Sequence, residues 1–562
     1  MNRSGKRLIK QVLGELPYTA ELYWQLRQQG KPISKSFSLR AVEKGLPVWL
    51  EQSGAARQEA QGGQNIFFFS TLRYWIEHAT LTALALAGLG HDVTLAYLPY
   101  ANWQKPINSF DLRRQNAYAQ SVLQRARPLL DPVSLLDVRP PNQALPEQLQ
   151  EKIAEVSLRD VQYTLQVEDV SQDSDLYRLR MERNTQAAKA ALYWLSTHHP
   201  DVVITPNGMI FEMGVIYQAA SYLDIPVVTY EFGEQRGRIW LGYKNEVMLQ
   251  DTDTLWERYK DTPLTEAQLE KVRTLFASRQ QASLYENFSR RWQGAPSQGG
   301  QQARATLNLD ARPLVVLAAN VIGDSLTLGR QVFSQSMTEW LKRTVRFFAG
   351  RSDVQLVVRI HPGERYMKGP SVGDTLLEEI PQLPDNIHLI GANDPINTYD
   401  LVEIADLGLV YTTTVGMEMA MSGVPVVVAG RTHYRARGFT YDPNSWESYY
   451  QLLDLILQNP RQYLLTQAQV DQSWNYAYRF FFDYPLPFPW HLLNFGTELE
   501  SWPMNRVLSL EGQVLFGNTF RHLAGIPAVM QDDMNAEMNM AQAPIDNTDG
   551  MQLGQSTVKG VT

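Results

Sequence analysis

The apolar positions of this chain fall into two trains of short continuous runs, separated by stretches of helical character. NIFFFSTLRYW opens the first train as a strand and loop, HATLTALALAGLG follows as a helix, and HDVTLAYLP is a second strand. Gly88 and Gly90 close that helix. DVVITPNG, FEMGVIYQAASYLD and IPVVTYE repeat the pattern and end at Glu231-Phe232-Gly233. The second train starts at PLVVLAAN and continues through SQSMTEWLKRTVRFFAG, VQLVVRIHP, NIHLIG, NTYDLVEIA, DLGLVYTTT, VGMEMAMSG and VPVVVAG. Strands alternating with helices call for parallel sheets with right-handed crossovers. The expected fold class is therefore α/β, with two doubly wound, Rossmann-like domains facing each other across a cleft.

The remaining segments set the expected domain limits. Residues 1–62 read as an N-terminal helical extension that ends in a linker, SGAARQEAQGGQ. Residues 63–291 form the first domain, and the polar stretch SRRWQGAPSQGGQQARATLNLDAR marks an inter-domain linker near 292–311. Within the first domain, QNAYAQSVLQRARPLL and LYRLRMERNTQAAKAALYWLSTHH look helical, and the rest of 105–200 reads as insertions. The second domain spans 310–464. The aromatic, proline-rich segment 465–526 suggests helices packing back on the body. Residues 527–562, rich in Met, Asn, Gln and Asp without periodicity, are expected to be disordered.

Composition narrows the function. At 562 residues the chain exceeds what one core supports. A formal net charge of -8 argues against a nucleic-acid partner. The chain has no cysteine, which excludes disulfides, Cys-ligated zinc, iron–sulfur clusters and thiol catalysis. No stretch approaches the roughly 20 apolar residues that cross a bilayer. The start sets Arg3, Lys6, Arg7 and Lys10 beside Leu8, Ile9, Val12 and Leu13. An ordinary solvated helix is the expectation there, with weak contact with an anionic membrane face as the alternative. The expected location is cytoplasmic, at most peripheral to the inner membrane face.

Ligands of open parallel sheets sit at the carboxyl ends of the strands, so the residues placed there are the candidates. In the second domain they are Asn320 to Asp324, His361 to Glu364, Thr412 to Gly416, and Arg431 onward. Pro362 ends its strand and leaves His361 at the edge, while alternation turns Arg359 elsewhere. One threonine before a helix would simply cap it. Three in a row, Thr412, Thr413 and Thr414, with Gly416 behind them, point to an anion such as phosphate. Glu418, one turn into that helix, offers a carboxylate to sugar hydroxyls or complements the helix dipole. Arg431, Arg435 and Arg437 either neutralise phosphate or form a solvated face. Asp251-Thr252-Asp253 matches an Asp-x-Asp metal motif, but it precedes a helix and reads as a cap, so no metal is expected.

RIHPGE and YTTTVGMEMAMSGVPVVVAGRTHYRARGFTYDP resemble the donor domain of capsule-polysaccharide-synthesis glycosyltransferases with the GT-B fold. They are similar to Kdo-transferase-like capsule proteins and, more distantly, to bacterial sialyltransferases. The resemblance covers mainly residues 310–445. It implies that His361-Pro362 and Thr412 to Thr414 hold the donor's nucleotide phosphate, and it includes Gly423, Pro425, Val426, Tyr434 and Gly438. Asn320 and Asp324 resemble a family loop that more often carries glutamine at the first position. Glu231-Phe232-Gly233-Glu234-Gln235-Arg236 resembles the acidic-plus-glycine segment at the cleft in related transferases, with Phe232 in place of the second acid.

The resulting expectation is a metal-independent glycosyltransferase that moves a sugar from a CMP- or UDP-linked donor to a surface or capsular glycan or glycolipid. It needs no cofactor, the nucleotide sugar being a substrate. The catalytic candidates are Glu231, His78 and Glu234, with His78 expected to face the cleft from the loop after the first strand. A CDP-polyol phosphotransferase, a nucleotide-sugar epimerase on the same fold and an inactive binding protein are the alternatives.

Overall fold

Two parallel sheets, each at the centre of its own α/β domain, organise the molecule. The structure is a computed structural model and describes residues 10–288, 293–492 and 495–527. The first sheet contains β1 (Asn65–Thr71), β2 (Asp92–Leu98), β3 (Leu130–Ser134), β4 (Val202–Pro206), β5 (Val227–Glu231) and β6 (Arg238–Tyr243). Its strands lie in the order β6-β5-β4-β1-β2-β3 and are parallel except for β6. Phe68 of β1 pairs with Leu95 on one side and Ile204 on the other, all fully buried. A strand flanked on both sides and covered on both faces favours apolar residues, which is why Ile66 to Phe69 form a continuous apolar run. The second sheet contains β7 (Leu314–Ala318), β8 (Gln355–Arg359), β9 (Ile387–Ile390), β10 (Leu407–Val410) and β11 (Val426–Val428), in the order β11-β10-β7-β8-β9.

Near its C-terminal end the chain returns to the first domain. Helix Gln467–Tyr478 packs in the second core, after which β12 (Leu486–Pro487) pairs antiparallel with β6. Trp490, Met504, Phe516 and Phe520 then complete the first core.

Several expectations are corrected. Helix Arg40–Glu59 runs through most of the segment read as a linker, because Ala, Arg, Gln and Glu sustain a helix without apolar periodicity. The segment read as insertions contains an additional helix, Glu147–Leu165, and the edge strand β3, where Pro132 is tolerated. Trp256, Val272 and Phe276 belong to the second core, so the second domain's packing begins well before the polar stretch at 292–311. At the other end, Lys10 is paired with Asp111 at 2.8 Å. Arg3, Lys6 and Arg7, and the tail from 528 onward, lie outside the described residues. No helix among the described residues is long and apolar enough to cross a membrane.

Candidate active-site cleft

In the second sheet the chain turns in opposite directions from the two neighbours β7 and β10, leaving a crevice between their carboxyl ends. Asn320 follows β7 and Thr412 follows β10. The Asn320 carboxamide oxygen accepts the Thr412 N–H at 3.1 Å and ties the crevice together. The Thr412 hydroxyl is buried there without a hydrogen-bond partner. A buried hydroxyl left in that state is costly, so it marks a place where a ligand oxygen would be accommodated. Thr414 precedes the helix Val415–Met421 but makes no capping bond, so its hydroxyl does not serve the helix. Thr413 and Thr414 line the same cavity. Gly416 does not: a Cβ there would meet the Tyr434 hydroxyl at 2.5 Å, so this glycine serves helix packing.

His361 stands at the end of β8, and its ring lines the cavity with Pro362. Its Nδ1 accepts the Gly363 N–H at 3.0 Å. Burial, aided by the neighbouring Arg359 charge, pushes its pKa down to about 4. The ring is therefore neutral at pH 7 and carries its proton on Nε2. Arg359 turns to the other side, toward Thr398 and the Gly391 carbonyl. Asp324 fixes its loop by accepting the Leu326 N–H at 2.9 Å.

The arginines that line the cavity, Arg238 and Arg279, both come from outside the expected cluster. Arg279, on helix Glu266–Gln280, pairs with Glu418 at 2.8 Å and Glu234 at 3.7 Å, joining the two domains' carboxylates. Although burial opposes its charge, Glu418 and Glu234 raise its pKa and keep it protonated. The expected arginines face elsewhere. Arg435 donates to the Val428 and Pro443 carbonyls and Arg437 pairs with Asp253, while Arg431 lies at a different cavity. Their sequence spacing carried no information on direction. Asp251 accepts the Asp253 N–H at 2.9 Å in a local turn, whereas Thr252, the residue before the helix, makes no side-chain cap. Among the described residues no group of three His, Asp or Glu side chains is arranged to hold a metal.

The first domain supplies Gly233, Glu234, Gln235, Arg238 and Trp240 to the opposite wall. Gly233 also borders a second cavity, walled by Tyr74, Trp75, Phe211 and Phe232, with Asn207, Glu231 and His491 as its polar groups. Glu231 ends β5, and its carboxylate accepts from the Asn207 side chain and the Phe232 N–H, each at 3.0 Å. Burial raises its pKa, and these two donors only partly offset the rise. Asn207, in the loop after β4, and Phe211, the first residue of the helix that follows, both have positive φ, 59° and 57°. An aromatic held in that conformation is a strained feature of the kind that accompanies functional sites.

His78 is corrected. It lies within helix Arg73–Gly88, fully buried, with Nε2 2.9 Å from the Trp490 carbonyl. Tyr230, Phe232 and Phe488 surround its ring, and burial lowers its pKa to about 4. The helix begins several residues before His78 and carries it behind the cleft wall. Sequence reasoning missed Arg279, Asn207, Trp75 and His491. Asn207 was within reach, since it sits in the Pro-Asn-Gly turn at the end of a parallel strand, and so was Trp75, in the first turn of the helix that follows the first strand; Arg279 and His491 reach the cleft from distant segments.

Two Rossmann-like domains opposed across a ligand-sized cleft, with the chain crossing back at its end, define a GT-B-type glycosyltransferase architecture. Residues 282–478 match the family described as "Capsule polysaccharide biosynthesis protein". Among solved structures, the chain is similar to "Thermosulfurimonas dismutans KpsC, beta Kdo 2,4 transferase", at 15% identity over 49% of this chain and 78% of that one, TM-score 0.30. The beta Kdo 2,7 transferase of the same organism's KpsC matches at 13% identity over 56% and 89%, TM-score 0.31. The UDP-GlcNAc 2-epimerase from Neisseria meningitidis bound to UDP-GlcNAc matches at 13% identity over 73% and 98%, TM-score 0.25. No residue role is carried over from these structures. No curated protein matches the sequence.

Proposed function

We propose that the protein transfers a sugar from a nucleotide-activated donor, of the CMP- or UDP-linked type, to a hydroxyl of a capsular glycan or glycolipid. The observation that carries this reading is the pair of cavities meeting at Gly233. One holds a neutral imidazole, an unpartnered hydroxyl and an arginine; the other holds a carboxylate among aromatic walls.

In this reading the donor's phosphate lies in the first cavity. The His361 Nε2–H and the Thr412 hydroxyl donate to phosphate oxygens as negative charge develops on the leaving group. Glu418, oriented by Arg279, accepts from ribose hydroxyls. The acceptor sugar stacks on Trp75 and Phe232, whose rings are 6.2 Å apart and inclined by 30°. Glu231 takes the acceptor hydroxyl's proton as that oxygen attacks the anomeric carbon, and the C–O bond to phosphate breaks. The pKa raised by burial brings this carboxylate closer to the range of an effective base, and Asn207 holds it in place. The transfer proceeds without a metal, since hydrogen-bond donors and Arg279 meet the phosphate charge. The exposed Val12, Leu16, Leu22 and Leu26 near the N-terminus would let a cytoplasmic enzyme rest weakly on a membrane carrying its acceptor.

Incubation with donor, with and without an oligosaccharide acceptor, tests the proposal. Acceptor-dependent release of nucleotide supports transfer. Epimerised sugar formed from donor alone would replace it with the epimerase reading.

A further inference from the structure

A different cavity lies where the two domains adjoin, lined by Lys152, Arg159, Glu246, Arg330 and Arg431 among others. It shares no lining residue with the cleft cavity. Arg159, on helix Glu147–Leu165, belongs to the first domain; Arg330 and Arg431 belong to the second. They converge on Gly329, which has a left-handed φ of 72°. The Arg159 guanidinium comes within 3.5 Å of where a side chain on Gly329 would start, and Arg431 Nη2 donates to the Gly329 carbonyl at 3.2 Å. The Arg431 N–H donates to the Arg330 carbonyl at 2.8 Å, so the two arginines are fixed side by side.

The charges here do not balance. Glu246 is the one carboxylate among the lining residues, and it is already paired with Arg159 at 3.0 Å. Arg330 is 4% exposed, and its guanidinium rests on the Met248 and Leu249 carbonyls, which bear no net charge. Burial, followed by the charge of Arg431, pushes its pKa down to about 10. Like charges gathered at low dielectric repel strongly, whereas guanidinium groups bind oxyanions through several hydrogen bonds at once.

We propose that this cavity binds an oxyanion, a phosphate or carboxylate group, gripped by Arg159 from one domain and by Arg330 and Arg431 from the other. Such a ligand would link the domains and bias their relative position. Two sources present this chemistry: free inorganic phosphate and the uronic acid of an acidic saccharide.

Thermal-shift titrations with inorganic phosphate and with glucuronate, at constant ionic strength against chloride, test the proposal and separate the sources. At least one anion should stabilise the wild type and His361→Ala alike. Its apparent Kd should rise tenfold or more in Arg431→Ala, whose parent side chain is exposed, and in Arg159→Gln. Stabilisation by phosphate alone identifies the inorganic ion, and stabilisation by glucuronate alone identifies the saccharide. A response equal to that of chloride, one that survives both arginine substitutions, or one lost in His361→Ala would overturn the assignment.

Discussion

Replacing His78 tests whether an imidazole in this first domain serves chemistry or the core. The structure makes it a packing and anchoring residue: its Nε2–H donates to the Trp490 carbonyl at 2.9 Å, holding the returning segment against the first domain. His78→Ala removes a fully buried ring and strands that carbonyl. Large-to-small core changes of this size cost about 3–5 kcal/mol. At roughly 2–4 °C per kcal/mol for a domain of this size, the Tm should fall by about 10 °C. His78→Phe keeps the ring's bulk and loses mainly the hydrogen bond, at about 1–2 kcal/mol. It should retain most of its glycosyl-transfer rate. Scanning calorimetry and a transfer assay on the same preparations give both quantities. A His78→Phe protein that melts near the wild type yet has lost transfer would refute the structural role and return His78 to the catalytic candidates.

Glu231→Gln should lower turnover about a hundred- to ten-thousand-fold while donor affinity stays nearly constant, because the shape persists and the base is lost, at the cost of one of the two hydrogen bonds that Glu231 accepts from Asn207 and Phe232; unchanged turnover would exclude Glu231 as the base. Acid should destabilise the fold in a defined window. His78 titrates at about 4 in the folded state against 6.5 when unfolded, so between those values the unfolded chain binds more protons. Its contribution, on the order of 3 kcal/mol, is fully present above pH 6.5 and is lost as pH falls toward 4. Urea titrations at pH 7 and pH 4.5 should show the difference shrinking in His78→Phe, and an equal acid loss in that variant would count against the assignment. Transfer should also survive EDTA, whereas a loss restored by magnesium or manganese would show that a metal takes part.

The legible parts of this fold were those coded locally. Buried parallel strands such as VVITP, LVVLA and QLVVR each carry a continuous apolar run (VVI, LVVLA, LVV), and their ends are marked by Pro206-Asn207 and His361-Pro362. Those ends place His361, Asn320 and the threonine run at one crevice. Elements whose stability comes from distant partners were hidden. β12 is two residues long and exists as a strand because β6 offers it an edge. Arg279 is one of several charged positions on a largely polar helix; its meaning comes from Glu418, more than a hundred residues away. His491 arrives only because the chain returns to the first domain. Arg431, Arg435 and Arg437 show the converse, since a cluster in sequence dispersed into three environments once the loop folded.

Donor binding to the second-domain cavity is the most direct measure of the account. Wild-type protein should be stabilised by its nucleotide-sugar donor, by about 2.7 kcal/mol at a concentration 100 times the Kd. His361→Ala and Thr412→Val should each weaken binding by at least tenfold, while calorimetry shows both variants folded. Donor affinity unchanged in both variants would contradict the placement of the phosphate between β8 and β10, and with it the proposed reaction.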